Sequence, residues 1–250
     1  MQRSFIVSGG SSGIGKAILE SLRSDRVDGD SVLNLDVHAK DSIDVRDYEG
    51  VRKAIKRAII AGGVHYFIGS AGLVFLTDEH DQPADFVQMD IERLQMMIDI
   101  NLKGVVHTVH ALLNEVFAAG ASAHLVLISS ISAFHSGGPN MAVYDATKAA
   151  ISAFAQRLVP YASRGIRVNV LQPGSVRTNI GGWDSEYQPC PSGLAIVEAG
   201  QDQDAQRLGK EVTLNQITRL TKFLLFEDHG LNGAIITADE GLTLTGRAGY

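Results

Sequence analysis

Cysteine is almost missing from this chain. With Cys190 alone among 250 residues, neither an internal disulfide framework nor a multi-cysteine zinc site can form, and a reducing compartment fits best. Long apolar runs are missing as well. Nothing approaches the roughly 18 consecutive apolar residues of a membrane helix, and the run in "MQRSFIVSGG" meets glycine too early for a signal-peptide core. There is no Lys/Arg-rich block either, and the formal charge is −6, which argues against nucleic acid or an anionic membrane surface as partner. The eight histidines lack metal-ligand spacing. His107 and His110 share one helical stretch, but no HExxH pattern or acid pair completes a site, so no metal is expected. These absences together predict a soluble, cytoplasmic protein acting on a small molecule.

What is present is a rhythm. Short β-branched, apolar runs at 4–9, 31–36, 64–72, 123–130, 166–174 and 233–239 alternate with helical periodicity at 15–24, 48–62, 90–120, 142–163 and 212–228. Strands interleaved with helices predict an α/β fold with parallel pairing and helices on both faces. The length, with 45% apolar content, suits one domain over residues 1–250. The stretch 181–210 breaks the rhythm and exceeds an ordinary connection, which predicts a substrate lid carrying Trp183 and Tyr187.

"SGGSSGIG" follows the first strand and opens the first helix. Its N–H groups and the helix dipole point beyond the strand's end, where an anion is stabilised. Glycines at 9, 13 and 15 allow a tight turn, close approach to a pyrophosphate and helix packing on the sheet, although the spacing is GxxxGxG and not GxGxxG. Asp36 ends the second strand, where a carboxylate takes both ribose hydroxyls and repels a 2'-phosphate. No Arg or Lys lies between Ser31 and Ala39. The cofactor expected is NAD.

Tyr144 and Lys148 stand at i and i+4 of the helix after the fourth strand, and so share a face. That strand ends in Ser129 and Ser130, at the edge where an open parallel sheet binds its ligand. Oxidising an alcohol by hydride transfer needs a base for the hydroxyl proton, and bringing a tyrosine from about 10 to about 7 takes roughly 4 kcal/mol. A nearby ammonium, helped by a positive nicotinamide ring, supplies it. A serine hydroxyl then holds the substrate oxygen.

Together these motifs resemble the short-chain dehydrogenase/reductase family over almost the whole chain. "SGGSSGIG" is similar to its TGxxxGxG, Tyr144-x-x-x-Lys148 to its YxxxK, Asn101 in "INLKG" to its central asparagine, and "GIRVNVLQPGSVRT" to its cofactor-closing segment. The resemblance implies a Rossmann-type doubly wound parallel sheet and an NAD-dependent oxidoreductase interconverting a secondary alcohol and a ketone. Tyr144 would be the general acid/base, Lys148 would orient the nicotinamide ribose, and Asn101 would anchor a proton-relay water. Gly9, Ser12, Gly13, Ile14 and Gly15 would line the pyrophosphate, Asp36 the ribose, and Asp44 and Val45 the adenine. Ala71 and Gly72 would border the cofactor, and Pro173, Gly174, Val176 and Thr178 the nicotinamide carboxamide. His135 and Trp183 would touch the substrate. The usual serine position, 13 residues before the tyrosine, holds Ile131; Ser130 is preferred and Ser132 is the fallback. The family's NNAG is "GSAG" here, Ser8 replaces its threonine, and "DEG" (239–241) stands where DGG is common. The family also implies a homo-oligomer, dimer or tetramer, through helices near 94–119 and 144–162. Rival readings are an NADP-dependent carbonyl reductase and a non-catalytic dinucleotide-binding sensor or scaffold.

Overall fold

A computed structural model describes residues 3–80, 82–135, 138–182 and 211–244. The six apolar runs become strands β1 (Arg3–Ser8), β2 (Ser31–Leu35), β3 (Val64–Gly69), β4 (Ser122–Ile128), β5 (Ile166–Pro173) and β6 (Ile235–Ala238). All pair in parallel, in the order β2-β1-β3-β4-β5-β6. Between them run helices α1 (Gly13–Ser24), α2 (Tyr48–Ala58), α3 (Ile91–Ile98), α4 (Gly104–Ala118), α5 (Ala142–Arg157) and α6 (Leu214–Phe226).

The central strands β1, β3, β4 and β5 read as continuous apolar runs because both of their faces are covered. Ile6, Phe67, Leu125, Leu127, Val168 and Val170 pack with residues of α2, α4 and α5. Their alternates Phe5, Val7, Ile68, Val126 and Leu171 pack with residues of α1 and α6. From β1 the chain moves out to β2 and then returns to β3 on the other side. That reversal opens a crevice at the carboxyl ends of β1 and β3, where such sheets bind ligands.

Two helices differ from the sequence expectation. The stretch 90–120 is interrupted by a π-helical turn, Asp99–Lys103, between α3 and α4. The apolar periodicity runs on through it, but the Asn101 side chain turns inward to hydrogen-bond the Leu73 backbone. Inserted π turns of this kind cluster at functional sites. The 142–163 stretch leaves α-helical geometry after Arg157 and continues as a 3-10 turn, Val159–Arg164, because Pro160 has no N–H to donate. No described helix is long and apolar enough to cross a membrane.

Candidate active site

A cleft of about 460 Å³ lies over the carboxyl ends of the strands. Gly9, Ser12, Gly13, Ile14, Asp36, Asp44, Val45, Ala71 and Gly72 line it, as do Ser130, Tyr144, Lys148, Pro173, Gly174, Val176 and Thr178. These residues are scattered through the sequence from position 9 to 178. Topology alone gathers them.

The glycine loop is tied down by β2. Gly9 N donates to the Leu35 carbonyl (3.0 Å), Gly10 N to Asn34 Oδ1 (3.0 Å) and Ser11 N to Asp36 Oδ2 (3.0 Å). Gly9 has φ +73°, and a Cβ there would lie 2.6 Å from the Ala71 Cα. Gly15 sits directly behind, where a Cβ would lie 2.1 Å from the Gly9 carbonyl oxygen. Gly15→Ala is therefore expected to push the loop open, costing roughly 1–3 kcal/mol of stability and at least about tenfold in dinucleotide affinity. Thermal melts and fluorescence titration with NADH measure the two effects.

The N-terminus of α1 is left open to the cleft. Asp47, Asp90 and Thr213 cap α2, α3 and α6 with their side chains, whereas Ser12 makes no capping bond and the first turn of α1 carries no acid. Uncapped N–H groups beside a close-packed glycine turn fit a dinucleotide pyrophosphate. At the far end, Asp36 Oδ1 accepts from His38 N (2.8 Å). Each Asp36 oxygen keeps a lone pair for a ribose hydroxyl. Asp44 is bound by Arg46 through Nε (3.0 Å) and NH2 (2.7 Å), which holds its carboxyl below the usual range against the effect of burial.

At the other end of the cleft, Ser130 and Tyr144 line the same wall, and the serine hydroxyl acts on the phenol so as to favour its ionised form. Ser130 also accepts from Ser132 N (3.1 Å) as the N-cap of a short 3-10 turn, Ile131–Ala133. Ser130 and Ser132 both line the cleft, and of the two it is the Ser130 hydroxyl that acts on the Tyr144 phenol. Lys148 Nζ lies 5.5 Å from the Tyr144 ring centroid and donates to the Ile128 carbonyl (3.2 Å). A Cβ on Gly72 would lie 3.3 Å from Asn101 Oδ1 and 3.4 Å from Lys148 Nζ, so these two groups flank the same point. Asn101 does not line the cleft itself. Its side chain brackets the Leu73 peptide, accepting from N (2.9 Å) and donating to O (2.8 Å), and also reaches Thr147 Oγ1 (3.4 Å).

The protonation state differs from the sequence argument. Burial pushes the Tyr144 phenol up to about 12, against a lowering by the neighbouring Ser130 hydroxyl. The same burial pushes Lys148 down to about 8. Sequence spacing places the ammonium near the ring but carries no information on the loss of water around both groups. In the protein alone that loss, with the negative charge of Asp145 acting in the same direction on the phenol, sets the shift.

His135 lies outside the cleft lining, its backbone N–H closing the 3-10 turn on the Ile131 carbonyl (2.9 Å). Trp183 and the stretch 183–210 of the expected lid lie outside the described residues. The sequence reading missed the apolar wall of Leu73, Val74, Leu76 and Ile180, and Asn140, which also lines the cleft. Only "GSAGLVF" carried a signal for it, in the apolar run directly after the third strand. Among the described residues no cluster of His, Cys, Asp and Glu is arranged to hold a metal.

Comparison with known proteins bears on this geometry. The family model described as short chain dehydrogenase matches residues 36–187, and this chain belongs to that family. It is 37% identical over 137 residues to the oxidoreductase UcpA of Escherichia coli, covering 54% of this chain and 49% of that protein. The chain thus spans about half the length of that relative. An uncharacterized oxidoreductase of Staphylococcus epidermidis is 31% identical over 187 residues, 69% of this chain and 77% of the relative. Among solved structures, a gluconate 5-dehydrogenase from Burkholderia cenocepacia in complex with NADP and tartrate superposes with a TM-score of 0.75 at 20% identity, covering 97% of this chain and 95% of that one. The aldohexose dehydrogenase of Thermoplasma acidophilum gives 0.76 at 19%, covering 100% and 97%. At such identities the likeness is one of fold.

Proposed function

We propose that this protein is an NAD-dependent oxidoreductase that interconverts a secondary alcohol and a ketone. The observation that carries the reading is that Ser130, Tyr144 and a buried lysine 5.5 Å from the Tyr144 ring gather at one end of a cleft whose other end is an uncapped helix terminus and a strand-end carboxylate. A nicotinamide ring bound there supplies the hydride acceptor or donor. The chain does the rest. Ser130 holds the substrate oxygen, Tyr144 Oη exchanges a proton with it, and Lys148 holds the ribose and keeps a positive charge beside the phenol. With its phenol held near 12, Tyr144 carries its proton at neutral pH and is ready to donate it to a ketone. Asn101 braces the Leu73 peptide on the far side of Lys148, the position from which a relay water would be anchored.

Asp36 supports NAD as the cofactor, because a 2'-phosphate would stand against its carboxylate. NADP is the second reading, favoured by the NADP reported in the similar Burkholderia structure. A sensor without catalysis would have no need of the serine, tyrosine and lysine set assembled here. The surroundings proposed are the cytoplasm, with a homo-oligomer formed through α3, α4 and α5, where Ile98 at the end of α3 and Val106 on α4 are exposed.

A panel of secondary alcohols and ketones, followed by NADH absorbance, tests the reaction. NAD should outperform NADP, and Asp36→Ala with Val37→Arg should reverse that order, changing the ratio of kcat/KM values by roughly a hundredfold or more. A wild-type preference for NADP overturns the cofactor assignment, and silence across the panel overturns the reaction.

A further inference from the structure

The apolar rows beneath α5 end in polar side chains. Along β5, Ile166, Val168 and Val170 are buried in the core shared with that helix, and the next residue of the row, Gln172, is buried as well. Along β4 the row Ala123, Leu125, Leu127 ends in buried Ser129. Buried polar groups are costly unless their hydrogen bonds are met.

Here they meet one another. Ser129 Oγ donates to the Lys148 carbonyl (2.7 Å). Ser152, one turn further along α5, reaches Ser129 Oγ (3.2 Å) and the same carbonyl (3.3 Å). Gln172 Nε2 donates to Ser152 Oγ (3.1 Å), and Thr237 Oγ1 donates to Gln172 Oε1 (3.3 Å) across the β5–β6 pairing. The chain of bonds starts on β6 and ends on the backbone of Lys148. From the other side, Thr147 Oγ1 donates to the Tyr144 carbonyl (2.7 Å) and receives Asn101 Nδ2 (3.4 Å). The helical turn carrying Tyr144 and Lys148 is thereby gripped on two flanks.

From these bonds we infer that Gln172 is a positioning residue: acting through Ser152 and Ser129, it fixes the Lys148 peptide and so the place of Lys148 Nζ at the cleft. Two fixed points define the lysine, its carbonyl on this network and its Nζ on the Ile128 carbonyl. Both lie at the end of β4, so the side chain spans a set distance. The titratable group that faces the ammonium is Tyr144, with its ring 5.5 Å away. Loosening the carbonyl end releases the ammonium toward water.

Gln172→Met keeps the volume and removes both bonds, Ser152→Ala removes the relay, and Ser152→Thr keeps its hydroxyl. Lysine Cε labelling followed by NMR reports the titration of Lys148 in the cofactor-free protein, with Lys148→Met identifying its signal. Gln172→Met and Ser152→Ala should each raise the proton affinity of Lys148 about tenfold. The double variant should add nothing further, because both act through one chain. Ser152→Thr should match the wild type. If Gln172→Met does not fold, Ser152→Ala and Thr237→Val carry the same test. A lowered melting temperature with an unmoved lysine titration overturns the inference, as do additive effects in the double variant. The inference rests on the proposed role of Lys148 only for its catalytic consequence, a roughly tenfold loss of kcat accompanied by weaker NADH binding. Silence toward every alcohol would sink that role and leave the titration to decide on Gln172.

Discussion

Tyr144→Phe should lower turnover by roughly a hundred- to ten-thousandfold, the range spanned by positioned general acids and bases, while leaving NADH affinity within about twofold. The two halves of that expectation have separate causes. Tyr144 is 7% exposed and packs in the main core, and phenylalanine keeps the ring, so the shape of the cleft survives. What is lost is the phenolic proton and its interaction with the neighbouring Ser130 hydroxyl. Ser130 still accepts from Ser132 N, which limits the stability change to about 1 kcal/mol. Stopped-flow reduction of a ketone from the panel, beside a fluorescence titration with NADH, separates chemistry from binding. A variant with full turnover would remove Tyr144 from the mechanism. Equal losses of turnover and affinity would instead mean that the ring, and not its proton, matters.

The central strands β1, β3, β4 and β5 were legible because their apolar runs are largely buried on both faces, which leaves a pattern that does not depend on distant residues. The Tyr144/Lys148 pair was legible for the same local reason, since helical spacing alone sets it. The serine was harder. Ser130 and Tyr144 are joined by a loop holding two 3-10 turns, Ile131–Ala133 and Pro139–Met141, and how such turns use up length is not written in any short motif. The break at Asp99–Lys103 was hidden because apolar periodicity continues across it, and the reason for it, the Leu73 peptide, lies 28 residues away. The direction of the Tyr144 shift was hidden for a different reason. It depends on how completely three other segments exclude water from a phenol and an ammonium. Gln172 did leave a trace, a polar residue where alternation along β5 calls for an apolar one, but its partners lie on α5 and β6.

Lys148→Met should make the cofactor-free protein more stable at neutral pH while removing turnover and weakening NADH binding. Lys148 is 3% exposed, and burial alone lowers it from 10.5 to about 8. A proton held that much less tightly in the native state than in the unfolded chain costs roughly 3 kcal/mol at pH 7. Methionine fills similar space without the charge and gives up only the bond to the Ile128 carbonyl and the contact with the Tyr144 ring. Those losses are about 1 kcal/mol, so a net gain of about 2 kcal/mol remains. In a chain of this size that raises the melting temperature by roughly 4–8 °C. The pH dependence follows from which state holds more protons. Below pH 8 both states of the wild type are protonated at this lysine and the full cost applies. Between about 8 and 10.5 the unfolded chain holds more protons, so wild-type stability climbs with pH and the advantage of the variant shrinks. Tyr144 acts in the opposite sense: its phenol, raised from 10.0 to about 12, contributes stability that is present below 10 and lost as pH rises toward 12. The window from 7 to 10 therefore isolates the lysine. Melting curves of both proteins across that window should converge as pH rises, and parallel curves would show that Lys148 is not held in the strained, water-excluded state that the proposed chemistry needs.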